Sequence, residues 1–266
     1  MHFATRKAAT SVNTWAIVLA LSTTVGLGST YETRADEAQA KTLLKAMSDY
    51  LAAQTAISMD YDSSLEVVTK ENQKLSLASS GTVILNRPGK LRATRMGGFA
   101  NVELVFDGKM LTLLRRDENI YAQVDAPATI DLLVDELRDK YRRPVPAADL
   151  LMADPYDQLM PLVVNTKDLG SGVIGGVECD HLAFRTEEVD WQIWIAQGSR
   201  PYPCRYIITS TKVAGSPQYT IDVRAFKAGD EVAAQNFALQ VPAGARKVTP
   251  SEVPEMDELP DAFAAK

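Results

Sequence analysis

Single alternation of apolar and polar residues, the period of half-buried strands, fills most of the chain, and two stretches switch to the helical period. The first helical stretch covers 37–54. Leu43, Leu44, Met47, Tyr50 and Leu51 form one apolar stripe, Lys41, Lys45, Ser48 and Asp49 lie opposite, and Asp36 stands where an N-cap belongs. Strand-like runs follow at 57–69, 75–86, 90–96, 101–106, 110–115 and 119–124. Asn86-Arg87-Pro88-Gly89 and Asp107-Gly108-Lys109 separate them as turns, the second a strong tight-hairpin signal. Within 101–106, Val102, Leu104 and Phe106 point one way and Asn101 and Glu103 the other, which predicts one buried and one wetter sheet face. Pro127 opens the second helical stretch, where Ile130, Leu133, Leu137 and Tyr141 recur on one side until Arg142–Pro146 breaks it. Short helices are expected in 147–153 and 154–159. Strand patterns return at 163–168, 172–174, 177–186, 191–196, 204–210, 218–226 and 237–241. Helix, strands, helices, strands is the order of a mainly β (α+β) domain, a large antiparallel sheet with helices gathered on one face.

The ends of the chain add a compartment. Arg6 and Lys7 precede an uncharged apolar run, 15–28, which suits the h-region of an export signal and falls short of the roughly 20 residues a spanning helix needs. Thr33-Arg34-Ala35 fits a small-x-small cleavage site. Residues 1–35 are therefore expected to be a signal peptide, with an uncleaved N-terminal anchor as the alternative. No cysteine lies there to be lipidated. The protein is expected in the periplasm, without a transmembrane anchor after signal cleavage. Residues 36–248 are expected to form a single domain, and 249–266, rich in proline and acidic residues, a flexible tail. The 266-residue chain has a formal net charge of −6, and loss of 1–35 removes three cations and one anion, which moves it to about −8. An acidic chain lacks the basic footprint of a nucleic-acid binder. It also lacks a polybasic attraction to anionic membrane surfaces.

The segment 176–211 holds both cysteines, Cys179 and Cys204, together with His181, Trp191 and Trp194. In an oxidising compartment the two thiols are a candidate disulfide. A simple meander would leave one strand between them, a separation of about 9–10 Å, where a bridge needs Cα atoms within roughly 7 Å. Twist or a bulge near the strand ends could close the gap. A bridge would stabilise by about 3 kcal/mol, and the pairing stays open at this point. Gly170 to Gly175 has the spacing G-x-G-x-x-G, but a strand pattern follows instead of a helix, so a glycine-rich turn or bulge is expected. His181 near Asp180 or Asp190 is a candidate general base, against the commoner role of a packed, hydrogen-bonded strand histidine. Asp60 and Asp62 share a strand face and are read as solvated. No zinc-type ligand set and no cofactor motif stands in the sequence, so neither metal nor cofactor is expected. Trp191, Ile193 and Ile195 share the apolar face, and Trp194 lies opposite.

The segments RPGKLR (87–92), FDGKMLTLL (106–114), NIYAQVDAP (119–127), LLMADPY (150–156), GGVECDHLAF (175–184), DWQIWI (190–195) and RPYPCRYIIT (200–209) occur in this order. Together they resemble a bacterial family of predicted periplasmic proteins that carries a domain-of-unknown-function label, over about residues 40–245. That family resembles the lipoprotein-carrier (LolA/LolB-like) superfamily. The resemblance implies an unclosed β-barrel of about eleven antiparallel strands, with helices packed over the concave side and an apolar cavity beneath them. It implies no site residue.

The reading that follows is a non-catalytic periplasmic binding or carrier protein for a lipid or other apolar ligand. Val102, Leu104, Phe106, Leu111, Leu113, Leu133, Leu137, Trp191 and Ile193 are the candidate cavity lining, with ordinary core packing as the alternative for each. The alternative functions are an envelope-stress sensor or protein-partner-binding module, using the exposed sheet face or the tail, and a hydrolase dependent on His181.

Overall fold

The computed structural model describes residues 29–97, 100–140, 147–232, 234 and 236–253. Residues 1–28 of the expected signal peptide 1–35, Tyr141 with the expected break at 142–146, and 254–266 lie outside the described residues. Helix α1 spans Ser29–Ala52, starting upstream of the expected boundary, so Asp36 is inside the helix and caps nothing. Its buried stripe is Ala40, Leu44, Met47 and Leu51, spaced to stack on one side. These residues belong to the main core, and α1 packs mostly on β7 (Asn165–Ile174), with lesser contact to β9 (Val189–Ala196).

Six strands then run as an antiparallel meander: β1 (Ala56–Val68), β2 (Lys74–Asn86), β3 (Lys90–Gly97), β4 (Ala100–Phe106), β5 (Met110–Arg115) and β6 (Ile120–Asp125). The β4–β5 turn is built by its own side chain. Asp107 Oδ1 accepts from the backbone N–H groups of Lys109 and Met110, both at 2.9 Å, and Gly108 takes the positive φ of +97°. Those N–H groups hold the Asp107 carboxyl below the usual carboxylate range.

The helical interlude holds α2 (Ile130–Asp139), a 3-10 turn at Ala148–Leu151 and α3 (Pro155–Leu159). Thr129, not Pro127, marks the start of α2, and its hydroxyl accepts from Leu132 N–H. Three contacts fix this layer. Ile130 N–H donates to Pro88 O, Arg87 Nη1 to Leu151 O, and Ala153 N–H to Asp131 Oδ1. Ser48 joins α1 to α3, donating to Asp154 Oδ1 and accepting from Tyr156 N–H.

The chain returns at the opposite sheet edge with β7, then β8 (Val177–Arg185), β9, β10 (Pro203–Ser210) and β11 (Gln218–Ala228), which pairs with β1 in the middle of the sheet. The expected segments 163–168 and 172–174 are one strand, β7, interrupted by a bulge between Asp168 and Ser171 where Gly170 takes φ +81°. Gly175 and Gly176 make the turn into β8, so a strand does follow the glycines.

The run 237–241 is not a strand, because it passes over a face of the sheet instead of along an edge. It crosses the outer face, where Arg92 donates to Asn236 O and Ala238 O, and the Lys90 ammonium sits over the buried Phe237 ring. The last strand is instead β12 (Arg246–Lys247), parallel to β6. Beyond it Val248 and Val253 are buried against Ile120 and Ala122, so the first residues of the expected tail are docked on the sheet.

Among the described residues the sheet has twelve strands in the order β12-β6-β5-β4-β3-β2-β1-β11-β10-β9-β8-β7, eleven of them antiparallel neighbours, with β12 and β7 as the edge strands. Among the described residues no helix is long and apolar enough to cross a membrane.

Candidate ligand cavity

Residues directly opposite in paired strands share a face, so the register defines rows across the concave side. Ile57, Leu85, Leu91, Phe106 and Leu111 form one row; Met59, Val83, Ala93, Leu104 and Leu113 the next; Tyr61, Gly81, Arg95 and Val102 the third. On the other side of β1, Tyr61 faces Val223 of β11. A bulge opposite Met59, with Ala225 at φ +47°, turns Phe226 onto the same face.

A cavity of about 320 Å³ lies over these rows. Seven neighbouring strands, β5 through β10 in sheet order, contribute to its wall. Laid flat they would span about 29 Å, so one small cavity can touch them all only because the sheet curls. The roof is Leu133, Val134 and Leu137 of α2 with Ala147, Ala148, Leu150 and Leu151 at the 3-10 turn, and Leu51 comes from the end of α1. The wall is overwhelmingly apolar. Tyr206, at its β10 edge, is buried, and burial pushes its phenol well above the ordinary range. Burial likewise raises the Asp149 carboxyl on the 3-10 turn, which the positive charge of Arg138 partly opposes.

Of the nine lining candidates, Val102, Leu104, Leu113, Leu133 and Leu137 face the cavity. Phe106, Leu111, Trp191 and Ile193 do not; they are closed into the core at 0%, 6%, 2% and 0% exposure. Trp191 stacks on Phe184 at 3.9 Å and meets Tyr206 edge-on, under the side of the sheet that α1 covers. Alternation places the seven strand residues, and the helical period Leu133 and Leu137, on apolar faces, but only the layer above a position decides whether it meets packing or space. The contribution of β11, namely Tyr219, Ile221, Val223 and Phe226, was missed. Its alternation was visible in sequence, but its pairing with β1, distant in the chain, was not.

The chemical candidates are engaged elsewhere. His181 Nε2 is 2.9 Å from Gln192 Oε1, and its ring stacks on Trp194 at 3.9 Å, on the outer face. Asp180 accepts from Gln197 and Asp190 from Arg185, so neither acid pairs with the histidine. Asp60 and Asp62 accept from Thr82 and Ser80, and among the described residues no cluster has the makings of a metal site.

Cys179 and Cys204 are free, buried thiols in one small cluster around Ala196. β9 does lie between their strands. However, Ala196 is its last residue and has a minimal side chain, and a register shift between Pro203 and Arg205 displaces Cys204. The thiols therefore come within hydrogen-bonding reach of each other, and burial raises the pKa of both.

The model of one family, described as predicted periplasmic protein (DUF2092), matches residues 40–249. The chain belongs to this family. It is accordingly a periplasmic protein, with the unclosed antiparallel sheet and concave-side helices expected from the resemblance, and twelve strands where about eleven were expected. No curated protein matches the sequence. Solved structures similar to it include an uncharacterised conserved protein from Thermus thermophilus (13% identity, 79% of this chain and 99% of that one, TM-score 0.47). Another is the Mycobacterium tuberculosis lipoprotein LppX (13%, 75% and 100%, 0.47). A third is a LolA superfamily protein from Nitrosomonas europaea (10%, 72% and 94%, 0.35).

Proposed function

We propose that the protein binds or carries a lipid or other apolar molecule in the periplasm, held non-covalently in the cavity between the curled sheet and α2. The observation that carries this reading is the cavity itself: about 320 Å³, walled by apolar side chains of seven strands and roofed by a helix. Small-molecule sites occupy roughly 300–1,000 Å³ and are predominantly apolar, with a few polar groups. Natural cores avoid voids of this size, because unfilled apolar space costs about 24 cal/mol per Å³ when created by truncation. An occupant recovers that loss. A chain of a dozen methylenes offers roughly 10 kcal/mol gross at about 0.8 per methylene, before the costs of association.

The test is mass spectrometry of organic extracts from protein purified out of the periplasm under native conditions. A recurrent, stoichiometric apolar species is expected. Protein that is always ligand-free and that takes up no added apolar molecule would sink the reading.

A second reading, a partner-binding module, is favoured by β7. That edge strand and its approach expose Leu162, Val164, Leu169 and Val173 along a rim that pairs with no further strand among the described residues. A pull-down returning one stoichiometric protein, with empty extracts, would favour it.

A further inference from the structure

We infer that Tyr206 is the polar anchor of the cavity, its phenol O–H donating a hydrogen bond to an uncharged oxygen, an ester carbonyl or a hydroxyl, at the head of a bound apolar chain. The inference rests on the cavity being a ligand site and names the head chemistry that site takes.

Five residues of the described wall carry a side-chain nitrogen or oxygen: Tyr61, Thr94, Arg95, Tyr206 and Tyr219. Four of them are engaged. Tyr61 OH donates to Thr94 O, the Thr94 hydroxyl accepts from Thr82 N–H, and Arg95 and Tyr219 have interactions of their own. Tyr206 differs. Its ring is packed, but among the described residues nothing hydrogen-bonds its hydroxyl. The residue is only 4% exposed, so bulk solvent is no substitute for a partner. Nor is the hydroxyl among the atoms sealed in protein without a partner, such as Thr166 Oγ1; the space it meets is the cavity. A buried tyrosine hydroxyl ordinarily finds a partner, because desolvating it unpaired is costly.

The fold holds this hydroxyl at a boundary. Tyr206 of β10 lies opposite Ile221 of β11, which lines the cavity, and opposite Ile193 of β9, which is closed into the core. Its ring rests edge-on against Trp191, itself stacked on Phe184. Packing therefore fixes the anchor before a ligand arrives, and a tyrosine, with two torsions, has little freedom left to lose. Burial first, then the charge of Asp149, raises the phenol, so it stays protonated and donates. Asp149 sits in the roof between Ala148 and Leu150, both lining residues, and no hydrogen bond joins it to Tyr206. Once ionised, that carboxylate turns an anionic head away, because like charges repel strongly where water is thin. An uncharged oxygen takes the phenol's hydrogen bond without that repulsion.

The experiment uses the full chain and the displacement of a neutral fluorescent apolar probe. The competitors are dodecanol, methyl dodecanoate, dodecane and dodecanoate. Tyr206→Phe should weaken the alcohol and the ester about tenfold and leave dodecane unchanged. Without ligand it should melt no lower than the wild type, since the hydroxyl it removes has no partner in the protein. At neutral pH dodecanoate should compete less well than its methyl ester, and Asp149→Asn should narrow that gap. No loss for the alcohol and ester in Tyr206→Phe, or an equal loss for dodecane, overturns the inference and leaves the cavity reading standing. A lower melting temperature for ligand-free Tyr206→Phe overturns it as well, by showing that the hydroxyl is bonded within the protein. Dodecanoate that competes as well as the ester overturns the choice of an uncharged head. If no chain displaces the probe from the wild type and none binds, the cavity reading fails and this inference with it.

Discussion

Glu103 lies on the face of β4 opposite the cavity, at 3% exposure, between Arg92 at 2.8 Å and Arg116. Arg92 also holds the 236–238 crossing, so the carboxylate supports a layer as well as a charge pair. Removing one member of a buried network costs more than the network is worth, because the other members stay buried without their partner. Glu103→Gln is expected to lower the unfolding free energy by about 2 kcal/mol, with an unchanged urea m-value.

Protonation acts at the same scale. The carboxyls of Asp107, Asp117, Asp190 and Glu252 are held below their ordinary values, by backbone N–H groups or by Arg115 and Arg185. Their stabilisation is present above about pH 4 and lost as pH falls through the folded values. Asp149 runs the other way. Its folded value is raised by burial, so its contribution is present below about pH 4 and lost as pH rises. Asp149→Asn should therefore raise the melting temperature at neutral pH, and the gain should vanish in acid. A gain that persists in acid would mean the effect is not electrostatic.

At the scale of elements, the apolar period in sequence located both main helices and most strands, because burial against a sheet selects side chains one by one. It could not locate ends. α1 begins at Ser29 although Asp36 looked like a cap, since no glycine or proline between them interrupts the helix. Nor could it assign partners. Strand β12 is two residues long and has no period, and it exists only because the edge of β6 is open to it. Cys179 and Cys204 belong here as well: the strand count kept them apart, and the early end of β9 at Ala196 brings them together. Both are buried and both pKa values are raised. Neither thiol should react with iodoacetamide in the native protein, and both should react in denaturant. A pair that still fails to react in denaturant without reductant would be a disulfide.

At the scale of the molecule, the open sheet and the cavity are one fact. Twelve strands that curl without closing leave a concave face wider than the helices packed on it fill, and α1 serves the β7–β9 side while α2 and the 3-10 turn span the other. The sequence patterns predicted both layers but not the gap between them, since Phe106 and Leu104 read alike and only Leu104 meets space. Ala93, in the middle row between Val83 and Leu104, is the smallest side chain of that row and the place to fill it.

The most direct test titrates a neutral fluorescent apolar probe into the wild type and Ala93→Phe while melting temperatures are followed. Saturable single-site binding to the wild type, at least about tenfold weaker in a variant that melts no lower, is the predicted result; one or two buried methylenes' worth of lost contact suffices for that factor. No saturable binding to the wild type, or equal binding to a folded Ala93→Phe, would contradict it.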